Sequence, residues 1–497
     1  MASPKKSTSN AKVANKRKNS APSRSAPSQA TIRFYCQGIG DAHLLRFEKE
    51  DVGDFWMLID CGIHTSIPGG AATIDKIVAN IASCLPADGA GGKRRLDVIV
   101  GTHEHWDHNS GFHTAREAFE QFDVGEVWLG WTEDPDDAQA RAFDTFKARA
   151  LTALQGAQLR LADAAGAHLE TVRNGVDGLL GFHFGLKGEK TRAAREALVA
   201  LGKKVRYVEP SPKPIALPGL PNLRIYVLGP PRDEKLIGVR TRQSEMYGLG
   251  AATQRADALI NALAANDPGT HDLASPFDPD IGAPLDRMLQ RAADVTAPEE
   301  RRIAQLLERH YLDKDATRRR IDADWLAASA ELAIQLDDRT NNSSVVLAFE
   351  FVDTGRVMLF AADAQVGNWL SWQDLSWRIG DNTITGPDLL ARTVLYKVGH
   401  HGSENATLKD KGLERMVDKD LSAFIPTNKK DAEDVKWKAM PFDPILEALH
   451  RRAGKRVIRA DDPWIRKGAK PFTAPSGSIR RVDSDKKDGL WVELDIA

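Results

Sequence analysis

Cysteine is nearly missing from this chain. Only Cys36, Cys61 and Cys84 occur, and no two of them form a Cys-x-x-Cys pair. This argues against a disulfide scaffold and fits a reducing compartment. Long apolar runs are missing too. Nothing approaches the roughly 20 residues needed to span a bilayer, and the N-terminus shows no apolar signal-peptide core. The expectation is a soluble, cytoplasmic protein with no membrane partner. Charge of one sign is also lacking. Lys and Arg number 68 against 69 Asp and Glu, for a net charge of −1, so there is no global bias toward nucleic acid or membrane. At 497 residues the chain can bury a large core, and length alone allows two or three domains.

Acid is wholly absent from residues 1–29, which are rich in Ser, Ala, Pro, Asn, Lys and Arg. Such a segment cannot bury enough apolar surface to offset its ordering entropy, and it reads as a disordered basic tail. Its Lys5, Lys6, Lys16, Arg17 and Lys18 suit a solvated arm first, and a nucleic-acid tether or partner-docking arm second.

What is present is concentrated at Val98-Ile-Val-Gly-Thr-His103-Glu-His105-Trp-Asp107-His108-Asn-Ser-Gly111. The apolar run Leu96 to Val100 reads as a buried strand, and the stretch from Gly111 as a helix. The cluster is thus expected on the loop between them, at a strand's carboxyl end, where α/β proteins place sites. Three imidazoles and a carboxylate within six residues would be costly to bury without a partner, and a cation supplies one. Imidazole and carboxylate without thiolate suit zinc first, then manganese or iron.

His103-x-His105-x-Asp107-His108 resembles the signature of the metallo-β-lactamase fold hydrolases. The turn Gly40-Asp41-Ala42 and the strand end Asp60-Cys-Gly62 are similar to that family's opening. The resemblance implies an α/β fold, a four-layer αβ/βα sandwich, over residues 30–497. It also implies that Asp60 is a structural carboxylate beside the metal loop. An acid at the end of the strongly apolar strand Arg356 to Ala362, Asp363, is either a strand-end cap or a ligand; the family pattern makes it the carboxylate that bridges two metals. Thr393-Val-Leu-Tyr-Lys397-Val-Gly-His400-His401-Gly402-Ser403 falls where the family's last ligand lies. His400 is expected as that ligand, with His401 as its supporting partner or as a catalytic acid.

The resemblance thus implies two divalent cations, with His103 and His105 on one and Asp107, His108 and His400 on the other, bridged by Asp363. Asp107 would also orient the attacking hydroxide. Lys397, Ser403 and Asn342 are candidates to hold a substrate phosphate or carboxylate. The family often adds a His at a strand end midway along the chain, but Leu228-Gly-Pro-Pro231 has none; His183 is a possible substitute, and His168, His271 and His310 read as surface. Two largely helical stretches, about 133–205 and 236–338, look like insertions over the sheets, serving as a lid or as a surface for a protein partner or a second copy.

Asn341-x-Ser-x-Val-Val-Leu together with Leu395-Tyr-Lys-Val-Gly-His-His-Gly-Ser403 is most similar to one branch, the hydrolase domain attached to bacterial DNA-uptake (competence) channel proteins. A metal-dependent phosphodiesterase or nuclease, acting on nucleic acid or a nucleotide, is the first expectation. A lactone, ester or thioester hydrolase is the second. A metal-stabilised binding subunit with little turnover is the third.

Overall fold

The computed structural model describes residues 1, 30–50, 53–163, 170, 172–177, 189–240, 242–245, 294–312, 328–434, 440–467 and 477–497. The basic tail after Met1, His168, His183, His271 and most of the second helical stretch lie outside these residues.

The first sheet contains β1 (Ala30–Tyr35), β2 (Ala42–Glu48), β3 (Asp54–Cys61), β4 (Arg94–Val100), β5 (Phe122–Gly130), β6 (Gly202–Val208), β16 (Ile479–Ser484) and β17 (Trp491–Ile496). Their order is β16-β17-β1-β2-β3-β4-β5-β6. The second sheet contains β7 (Ile215–Leu217), β8 (Leu220–Gly229), β9 (Val346–Phe351), β10 (Val357–Phe360), β13 (Thr393–Lys397), β14 (Ser422–Ile425) and β15 (Val457–Arg459), in the order β15-β14-β13-β10-β9-β8-β7. A small hairpin, β11 (Ser376–Ile379) with β12 (Asn382–Thr385), stands apart.

Each sheet is half antiparallel and half parallel. Strands β3 to β6 run parallel, as do β10, β13, β14 and β15. Parallel pairs need long crossovers, and helices supply them. Helix Gly70–Cys84 links β3 to β4, and Asp443–Ala453 links β14 to β15. The first helical stretch proves to be such a crossover: helices Ala138–Asp163 and Glu189–Leu201 lead from β5 into β6. Residues 202–205, expected within an insertion, therefore belong to the sheet.

Alternation along the strands separates the layers. On β2 and β3, Leu45, Met57 and Ile59 face the second sheet, where Val227, Leu347, Phe349, Phe360 and Phe424 meet them. Phe34 stacks on Phe424 across this interface at 4.2 Å between ring centroids. Leu44, Leu58 and Ile99 face outward onto Ile74, Ile77, Ile81 and Phe112 of the helices. Tyr226, Ala348, Leu359 and Tyr396 do the same on the far side, against Trp369, Ile445 and Leu449. The result is the four-layer αβ/βα sandwich. Burying one such Phe contributes about 1.5–3 kcal/mol. Among the described residues no helix is long and apolar enough to cross a membrane.

Candidate metal centre

The carboxyl ends of β3, β4, β10 and β13 converge. Four non-glycine residues adopt positive φ among the described ones, and all four lie at these ends: Asp60 (57°), Ala362 (46°), His400 (41°) and His401 (53°). Left-handed backbone costs an ordinary residue about 1–3 kcal/mol and persists where the surroundings impose it. Here it turns the chain at the ends of β3, β10 and β13, so that side chains which a straight strand would send to opposite faces reach one point. Gly62 has a different reason: a Cβ there would lie 2.3 Å from the carbonyl of Asp107. Only glycine lets the end of β3 pass beneath the metal loop, which accounts for the Asp-x-Gly pattern.

His103 and His105 sit on the loop after β4, as expected. Asp107 and His108 lie instead in the first turn of helix Trp106–Thr114, which begins five residues before the expected start. Asp107, His108, Asp363 and His401 each offer one ligand atom within 4.8 Å of the others, and all are buried. His401 Nε2 is 2.9 Å from Asp107 Oδ2 and 3.5 Å from Asp363 Oδ2. His108 Nε2 is 3.1 Å from Asp363 Oδ2. The second oxygens, Asp107 Oδ1 and Asp363 Oδ1, have no hydrogen-bond partner despite full burial. Two carboxylates left unsatisfied beside two imidazoles fit a divalent cation, and the nitrogen-oxygen donor set suits zinc, manganese or iron.

The electrostatics agree. Burial opposes charge on His108, yet Asp363, Asp60 and Asp107 outweigh it and hold its pKa well above the usual imidazole range. Burial likewise opposes ionisation of Asp363, but His108 and His401 keep its carboxyl well below the usual range.

Asp60 accepts from His108 Nδ1 at 2.8 Å, from the Thr102 amide at 2.8 Å and from the Thr102 hydroxyl at 2.7 Å. It orients the imidazole so that Nε2 points into the cluster, while capping the turn after β4. Asp41, in the opening turn, pairs with the buried ammonium of Lys397 and lies 3.8 Å from His108 Nδ1.

At the other end of the centre, His103 Nε2 and His105 Nδ1 lie 3.1 Å apart. Burial, aided by His108, drives the His103 pKa well below its ordinary value. Asp337, near the end of helix Ala328–Asn342, brings Oδ1 to 3.6 Å from His105 Nε2. Sequence reading passed over Asp337, since an acidic pair, Asp337-Asp338, at a helix end ordinarily reads as a solvated turn; its one signal was the burial of the helix face carrying Leu332, Ala333 and Leu336.

The remaining expected residues sit as follows. His400 Nδ1 lies 2.8 Å from Ser403 Oγ, and its Nε2 3.5 Å from Asn341 Nδ2. It is His401, not His400, that joins the four-residue group. Ser403 Oγ donates to Asn405. Lys397 Nζ also donates to the Ala362 carbonyl at 3.3 Å and is buried. Asn342 donates to the carbonyls of Ile237 and Val239 and accepts from the Asn368 amide, each at 3.0 Å, so its amide is engaged in the frame. His310 is exposed, as expected.

The crossover helices grip the loop from outside. Lys147, 3 % exposed, donates to Glu104 at 2.8 Å and lies 3.8 Å from Glu133, which Arg195 pairs at 2.6 Å.

The model of the metallo-beta-lactamase superfamily matches residues 38–195, which therefore carry a domain of that superfamily. No curated protein and no solved structure gives a significant match to the chain. The superfamily domain and the buried His/Asp cluster together point to a metal-dependent hydrolase.

Proposed function

We propose that the protein is a metal-dependent phosphodiesterase or nuclease working with two divalent cations, zinc first and manganese or iron next. The observation that supports hydrolysis is the meeting of Asp107, His108, Asp363 and His401, from three strand ends, around unsatisfied carboxylate oxygens. The phosphodiester class rests on the likeness of the Leu395–Ser403 stretch to the hydrolase domain of DNA-uptake channel proteins, with support from the basic N-terminal residues.

Asp107, His108, Asp363 and His401 would hold one cation, and His103 with His105 the other. Divalent cations bound there lower the pKa of water toward neutrality and offset charge on a scissile phosphodiester. The chain's own groups do the positioning. Asp60, 2.8 Å from His108 Nδ1, would hold the ring proton there and leave Nε2 to bind the cation. Asp363 is shared between His108 and His401. Asp107, whose Oδ2 lies 2.9 Å from His401 Nε2, would share the cation with that ring and orient the attacking water. His400, against Ser403 and Gln365, is placed to stabilise substrate or leaving group.

The test is a screen of the full chain, supplied with zinc or manganese, against DNA, RNA, cyclic nucleotides, lactones and thioesters. The expected result is chelator-sensitive phosphodiester cleavage that His105→Ala or Asp107→Ala abolishes. Turnover of lactones or thioesters alone would replace the phosphodiester reading. Bound metal without any turnover would favour a binding subunit that docks a partner through its helical stretches.

A further inference from the structure

The centre described so far draws on the ends of the two sheets. His105 faces something else. Its Nδ1 lies 3.1 Å from His103 Nε2, a little under the about 3.3–3.4 Å that two nitrogens at roughly 2.0–2.1 Å from one tetrahedral cation would have. The opposite nitrogen, Nε2, faces Asp337 Oδ1 at 3.6 Å. Both residues are buried, at 1 % and 8 % exposure. Asp337 Oδ2 is held by Asn341 Nδ2 at 3.2 Å, one turn along the same helix, which turns Oδ1 toward the imidazole.

The helix is itself fixed. Leu332, Ala333 and Leu336 pack with Ala150, Leu154 and Leu161 of the crossover helix, and Asn342 ties its end to the carbonyls of Ile237 and Val239. The carboxylate is therefore a built element. A neutral imidazole that binds a cation through Nδ1 must carry its proton on Nε2, and a carboxylate there fixes that tautomer and raises the basicity of Nδ1. At 3.6 Å the pair is at ion-pair distance, longer than a hydrogen bond. A cation at Nδ1 makes the Nε2 proton more acidic and shortens such a contact.

We infer that Asp337 is a positioning residue of the metal centre, a carboxylate from the second helical stretch that orients His105 for the cation held with His103. This rests on the two-cation reading above and adds to it that a helix outside the two sheets is an integral part of one metal position, in a chain with no histidine at the Leu228-Gly229 strand end. Because Asp337 and the cation lie on opposite sides of the same ring, its role is orientation and polarisation, not ligation.

The experiment is metal binding by the full chain. Zinc and cobalt affinities and equivalents bound are measured by calorimetry and elemental analysis, together with the visible absorption of the cobalt form, for the wild type, Asp337→Ala, Asp337→Asn and His105→Ala. The expected result is two equivalents in the wild type, with one of them weakened about 10–100-fold in Asp337→Ala and less in Asp337→Asn, which keeps an acceptor oxygen but not the charge. The cobalt bands of that position shift, while the other position and the thermal unfolding of the chelated protein stay unchanged. Wild-type affinity at both positions in Asp337→Asn and Asp337→Ala overturns the inference. So does equal weakening of both positions together with a lower unfolding temperature of the chelated form, which would mean that Asp337 only supports the fold. Should Asp337→Ala fail to fold, Asp337→Asn alone decides. His105→Ala separates the two levels: if it keeps both cations at full affinity, the two-cation reading fails first.

Discussion

The two ends of the metal centre are built in different ways. The Asp107–His108–Asp363–His401 end is assembled from both sheets, with left-handed turns at the strand ends and Asp60 behind His108. The His103–His105 end is a short loop braced by helices: Lys147 on Glu104 from the crossover, and Asp337 beside His105 from the second helical stretch. The first end thus rests on the sandwich core. The second depends on how firmly helices outside the two sheets are seated. One end is built from the two sheets, and the other is braced by helices packed outside them.

The comparison is broken most forcefully at His108. In His108→Ala the buried carboxylates of Asp60, Asp107 and Asp363 lose their central countercharge. The chelated protein is expected to lose about 3–5 kcal/mol in urea unfolding. Elemental analysis should show one cation gone, with hydrolysis absent. Gly62→Ala attacks the same end without touching a ligand. Its Cβ would meet the Asp107 backbone, so about 1–3 kcal/mol of overpacking strain is expected, along with weaker metal binding at the end that holds Asp107. Unaltered metal affinity there would show that the loop tolerates a shift.

Lys147→Met probes the helix-braced end. It leaves the part-buried carboxylate of Glu104 without its ammonium partner, at a cost of about 1 kcal/mol. Cation loss should be confined to the His103–His105 position; equal loss at both would erase the contrast between the ends.

The smallest effect concerns Asp338, beside Asp337. Burial raises its pKa to about 8, against the pull of Arg240. Above roughly pH 4 the unfolded chain ionises this group while the native chain keeps its proton until about pH 8. The native state therefore binds more protons across that window, and stability falls as pH rises through it. Asp338→Asn removes the slope. It should stabilise the protein by at least about 1 kcal/mol at pH 9 and leave it nearly unchanged at pH 4, read by urea unfolding at both values.

Much of the centre could be read before any coordinates. Strands before His103, Asp363 and His400 announce themselves as apolar runs, and the histidine cluster is local in sequence. Two matters were not legible. His400 and His401 are adjacent, and which ring enters the cluster is decided by successive left-handed residues and by the Thr427 hydroxyl bonded to the His401 carbonyl at 2.8 Å. The crossover role of residues 138–201 also escaped notice, because β6 carries Lys203, Lys204 and Arg206 and does not resemble a buried strand. It lies at the sheet edge, where such charges remain solvated.

By itself the sequence determined the apolar strands around the centre and the identity of most polar groups near it, because apolar runs and a compact His/Asp motif are local properties; the sandwich followed from the family resemblance that this motif carries. Tertiary structure alone decided which imidazole faces the carboxylates, that Lys397 neutralises Asp41, and that Asp337 reaches His105 from more than two hundred residues away. Those outcomes depend on backbone turns and helix docking, and such distances are set by packing of the whole chain rather than by any stretch of it.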